Sequence, residues 1–158
     1  MFGGRLEIGA DIDLDGSAYR ITMPRPPGSE ACLWALIDDW RLLVPGGLPE
    51  EQRSWWEDFL SDPESQHDWM VLRPAAFSIA KQVYGVPWWA AHRILKEAAE
   101  AYLSYQMWCV AKGFRPTDEP ADRIVASAVA WISSQWTEES QAKTWQQATF
   151  MPPSGVKP

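Results

Sequence analysis

Asp11, Asp13 and Asp15 alternate ahead of Gly16 in the stretch DIDLDGSAY, which is how a calcium-binding loop between two helices begins. Such a loop takes oxygens from positions 1, 3, 5, 7, 9 and 12, with glycine at 6 and a bidentate Glu at 12. Position 12 here is Thr22, which has no carboxylate, and the flanks GGRLEIG and TMPRPPG do not read as two helices. A strand accounts for more of the residues. Ile8, Ala10, Ile12 and Leu14 alternate with Glu7, Asp11 and Asp13, the period of a half-buried strand. Asp15-Gly16 is a favoured two-residue turn, and Tyr19, Ile21 and Met23 share one face of the returning strand. The stretch predicts a β-hairpin and no metal site.

Other chemistry is sparse. The chain has no phosphate-cradling glycine loop, no nucleophile elbow and no HExxH pair. Its two histidines are His67 and His92. If one helix carries both His92 and Cys109, the rise between them is ~25 Å, too far for a thiol–imidazole dyad. His67 follows an acidic run and reads as a solvated side chain. Cys32 and Cys109 lack ligand spacing and read as buried, reduced thiols. Glu50, Glu51, Glu57 and Asp58 fall opposite an apolar stripe, the ordinary place for solvated carboxylates. No catalytic residue, cofactor or metal is expected, and the chain is not expected to be an enzyme.

With 158 residues, 46% hydrophobic and 22% charged, the composition is that of one globular domain, with at most a small appendage. The net charge of -7 (14 basic against 21 acidic residues) disfavours nucleic acid or an anionic membrane as the main partner. No apolar run is long enough to span a bilayer, and the start MFGGRLEIGAD lacks the pattern of a signal peptide. The expected location is the cytoplasm in which the chain is made. Eleven tryptophans are the unusual feature, and they suit a protein that makes large apolar contacts.

The elements that must position these residues are mostly helices. After the hairpin, MPRPPGSE reads as a stiff linker. Leu33, Leu36, Ile37, Trp40 and Val44 then predict one amphipathic helix, capped by Ser29 and ended by PGG. Leu48, Trp55, Trp56, Phe59 and Leu60 predict one broad stripe on a second helix that Pro49 opens, and Asp62-Pro63 predicts a third helix start. Pro74 interrupts that pattern before Gly85 ends it. Pro87 to Lys112 reads as a single helix of roughly 39 Å, the spine of the fold. Ile124, Val125, Ala128, Val129, Trp131 and Ile132 mark a further helix, and Thr137 caps a weaker last one. The fold class expected is mainly α, a multi-helix domain around one long central helix, α+β by the letter because of the hairpin. Its parts are residues 1–28 (hairpin and linker), 29–150 (helical domain) and 151–158 (flexible tail).

On the long helix Trp88 continues into Ala91, Leu95, Ala98, Tyr102 and Cys109, a core stripe. Trp89 instead lines up with Arg93, Lys96 and Glu100. It is expected on the surface, either as a ring lying under Arg93 or as a partner anchor flanked by Arg93 and Lys96.

The segments WWEDFLSDPESQHDWMVLRP and VYGVPWWAAHRILKEAAEAYLSYQMWCVAKGF, behind a strand pair and a P-R-P linker, resemble the tail assembly chaperones of long-tailed actinobacterial phages. The likeness is one of layout and loose motif over roughly residues 5 to 150. It implies a non-enzymatic protein of the host cytoplasm that binds the aggregation-prone tape measure protein and keeps it soluble. It further implies help in recruiting tail tube subunits, absence from the finished virion, and a second form made by ribosomal frameshift. Self-association is left open. Two other readings stay open at this level: a structural virion or connector component, and a small acidic inhibitor of a host protein.

Overall fold

The computed structural model describes residues 7–14, 16–64 and 69–156. His67 and Asp15 lie outside the described residues. Within them the chain is mainly α-helical: an N-terminal antiparallel hairpin is followed by eight α-helices around one apolar core. Strands β1 (Ile8–Leu14) and β2 (Ser17–Met23) pair with Ile8 opposite Met23 and Leu14 opposite Ser17. That register leaves two residues for the turn, and Gly16 takes φ 85, a conformation that costs glycine nothing. Ile8, Ala10, Ile12, Leu14, Ile21 and Met23 are all buried, as the alternation demands.

The hairpin docks on α4 (Arg73–Tyr84). Gln82 of α4 closes the join by accepting from Gly9 N at 3.2 Å and donating to Gly9 O at 2.8 Å. Arg25 from the linker reaches the Val83 carbonyl at 3.5 Å and Asp122 at 3.9 Å. The linker is thereby tied to α4 and to α7 (Ala121–Ser134).

Several helix boundaries differ from the sequence expectation. The stretch predicted as one helix is two, α1 (Gly28–Ile37) and α2 (Trp40–Gly47). Asp38 ends the first in the left-handed region at φ 59, and Asp39 caps the second by accepting from Arg41 N at 3.1 Å. Arg41 also holds the Asp39 carboxyl below its usual range through a side-chain hydrogen bond. Leu33 and Ile37 consequently stay outside the core, and PGG forms the last turn of α2.

Asp62 does not open a helix. It ends α3 (Glu50–Ser61), and its carboxylate accepts from Glu64 N at 3.0 Å in a tight turn. Pro74, expected to interrupt a helix, instead sits in the first turn of α4, where its missing N–H costs nothing. At the other end Gly85 takes φ 74 and closes α4, as expected.

The central helix is α5 (Trp88–Glu100) and α6 (Tyr102–Ala111), broken at Ala101 with φ -116 and ψ 42. No proline or glycine marks the break. It lets Tyr105 turn into the core against Trp131, with ring centroids 5.7 Å apart, and share a hydrogen bond with Ser127 at 2.6 Å. The last helix, α8 (Glu139–Phe150), is capped by Glu138 and Gln141 rather than by Thr137. The Gln141 carboxamide accepts from Glu138 N at 2.8 Å and from Thr137 N at 2.7 Å.

Candidate functional site

Trp89, Arg93 and Lys96 do come together, on the wall of a cleft of about 550 Å³ beside α5. Their roles differ from the surface anchor expected. Trp89 is core: only 9% of it is exposed, its indole N–H donates to the Phe150 carbonyl at 3.0 Å, and Phe77 meets its ring edge-on at 5.8 Å. Helix α8 covers the face of α5 that helical periodicity alone leaves to solvent.

Arg93 does not lie over the Trp89 ring. Its guanidinium donates to the carbonyls of Ala148, Thr149 and Met151 at 2.9, 3.0 and 2.7 Å. These carbonyls belong to the last turn of α8 and the residue after it, where a helix end leaves acceptors without partners and favours a cation. Lys96 reaches Glu100 at 3.9 Å, an exposed pair of small energetic weight.

The other walls of the cleft are aromatic. Trp40 and Phe77 meet edge-on at 6.3 Å, and Arg73 lies 5.3 Å over the Phe77 ring. Asp38 accepts from the Trp88 indole at 3.2 Å and sits 3.7 Å from His92 Nε2. His92 is fixed from its other nitrogen, with Nδ1 2.8 Å from the Ala35 carbonyl, so Nδ1 carries a proton.

A second feature is absent from the sequence expectation. Helix α6 turns Leu103, Met107 and Val110 outward, with 69%, 65% and 74% of each exposed. Their spacing of i, i+4 and i+7 makes one continuous apolar stripe. Beside it runs an apolar groove between α1 and α6, a hollow of about 210 Å³ lined by Cys32, Leu36, Ala98, Tyr102, Tyr105 and Ile124. A second hollow of about 230 Å³ shares Tyr102 and Tyr105 and extends past Val110 to Phe114. The sequence pattern puts Tyr102 on the core stripe, whereas the break at Ala101 leaves it exposed. The signal in the sequence was the composition of α6: YLSYQMWCVA is apolar on every side, and a helix of that kind needs cover all round. Among the described residues it receives cover on one side.

On α3 the two tryptophans part company. Trp56 is buried, whereas Trp55 is 47% exposed and stacks on Phe59 with ring centroids 5.4 Å apart. The helical pattern expects both in the core.

Cys109 is buried and Cys32 is partly covered, on the wall of the α1–α6 groove. Burial pushes the Cys32 thiol up to about 12. Its thiolate fraction at pH 8 is then about 10³-fold below that of a thiol with its ordinary value of 9.0. Iodoacetamide at pH 8 should accordingly label Cys32 slowly in the native protein and rapidly in urea. Equal rates by mass spectrometry would show the thiol to be freely solvated.

Among the described residues no group of three or more His, Cys, Asp or Glu could hold a metal ion. The hairpin aspartates are engaged elsewhere: Asp11 pairs with Arg20 at 3.1 Å and Asp13 accepts from Gly16 N at 3.0 Å. No helix among these residues is long and apolar enough to cross a membrane. No model of a known family, no curated protein and no solved structure matches this chain.

Proposed function

We propose that this chain is a non-enzymatic binding protein that shields an extended, amphipathic helical client from aggregation. One observation carries the reading: the outward stripe Leu103, Met107 and Val110 of α6, running beside the apolar α1–α6 groove. An apolar face of this kind is costly to leave in water, at ~25 cal/mol for each Å² exposed. An amphipathic helix laid in such a groove is anchored at i, i+3, i+4 and i+7 positions, and the stripe presents i, i+4 and i+7 of that set. Leu33 and Ile37 of α1 add exposed apolar surface on the same chain.

The client proposed is the tape measure protein of a tailed phage, with the tail tube protein as a further partner, in the host cytoplasm. This identity rests on the resemblance in layout, and the apolar stripe is a surface suited to such a long helical client. The test is co-expression with the tape measure protein of the same genome. Wild-type chain should bring the client into the supernatant and co-purify with it. The double variant Leu103→Glu, Met107→Glu should lose both effects while its own melting changes little, because exposed substitutions usually move stability by less than ~0.5 kcal/mol. If the variant solubilises the client as well as wild type does, the stripe is not the binding surface. If the client stays insoluble with wild type and the chain appears stoichiometrically in particles, it is a structural component and the chaperone reading fails.

A further inference from the structure

The cleft beside α5 carries charge that the fold itself does not use. On a chain of net charge -7, its walls hold Arg73, Arg93 and Lys96 against Asp38 alone, a local balance of +2 (three minus one). Arg93 is committed to the end of α8, and Asp38 to Trp88 and His92. Arg73 is different. It is half-buried with its guanidinium over Phe77, and it makes no hydrogen bond or ion pair with any described residue.

A guanidinium offers five N–H donors in a planar fork, matched to the two oxygens of a carboxylate. Partly withdrawn from water and resting on a ring, it is held ready for such a group and loses little freedom on binding. The neighbouring Trp40 and Phe77 rings supply apolar surface, and a volume of about 550 Å³ suits a ligand of modest size.

We propose that this cleft binds a carboxylate joined to an apolar body, with Arg73 taking the carboxylate, Lys96 adding positive potential and Trp40 and Phe77 packing the body. Two sources carry that chemistry, a small organic acid and the free C-terminal end of a polypeptide. The cleft shares no lining residue with the α1–α6 groove, so the two sites are independent.

Calorimetric titration of the full chain tests this with three probes: N-acetylphenylalanine, its neutral amide, and a decapeptide ending in phenylalanine with a free carboxylate. The acid should bind at least about tenfold more tightly than the amide, the worth of a charge-assisted pair in a partly desolvated site. Arg73→Gln should abolish that preference and Arg73→Lys should restore part of it. The stripe variant Leu103→Glu, Met107→Glu should bind the acid normally, so failure of the chaperone reading leaves this result standing. Tighter binding of the decapeptide than of N-acetylphenylalanine identifies a chain terminus as the source, and equal or weaker binding identifies a small acid. If acid and amide bind alike, if neither the acid nor the decapeptide binds, or if Arg73→Gln keeps the preference, the proposal is overturned.

Discussion

Gly28→Ala should destabilise the protein by ~3 kcal/mol, the upper part of the range for overpacking a core. The sign is the informative part. Alanine normally improves a helix by ~1 kcal/mol over glycine and also restricts the unfolded chain. Gly28 is the first residue of α1 and is buried against the segment that leads into α7. A Cβ there would overlap the Glu119 carbonyl oxygen and lie 3.0 Å from the Pro120 carbonyl carbon and 3.1 Å from Ala121 N. All three are backbone atoms, so no side chain can rotate away; α1 must lift from α7. Thermal melting should show Tm falling by roughly 6–12 °C, given ~2–4 °C per kcal/mol at this chain length. Gly113→Ala is the comparison, because Gly113 has φ 70 with open space around it and should cost only ~1 kcal/mol. A Gly28→Ala protein as stable as wild type would mean that α1 does not approach residues 119–121 so closely.

Trp89→Ala should cost ~3–5 kcal/mol, the scale of deleting a buried aromatic ring. Three losses combine: the ring's burial between α5 and α8, the edge-on contact with Phe77, and the donor to the Phe150 carbonyl. Trp89→Phe retains most of the apolar volume and loses the hydrogen bond, so it should cost less, ~1–2 kcal/mol. Urea unfolding of the two variants separates packing from hydrogen bonding. A Trp89→Ala protein within ~0.5 kcal/mol of wild type would return Trp89 to the surface and revive it as a partner anchor.

Much of the architecture was legible because the signals were local. Alternation through Leu14, a two-residue turn and Gly16 set the hairpin and its register without help from elsewhere in the chain. The ends of α4 and α5 followed from Gly85 and Pro87, and the buried face of α7 followed from its period. Capping chemistry was legible in principle and was outweighed by periodicity. Asp38-Asp39 contains both a residue able to turn left-handed and an N-cap, yet Leu33 and Val44 fit one uninterrupted stripe, and the periodic pattern carries no mark of the break.

What the tertiary structure alone decided was which faces are covered. Periodicity states where apolar residues lie around one helix, and it does not state how many neighbours that helix has. Trp89 is buried because α8, some 60 residues further along, lies against the second face of α5 and accepts from both Trp89 and Arg93. Leu103, Met107 and Val110 are exposed because α6 finds a neighbour for Tyr105 and Cys109 and, among the described residues, none for its opposite side. The residue types are apolar in both places. Burial is a property of pairs of elements, and the pairing is set by long-range packing that no local pattern records.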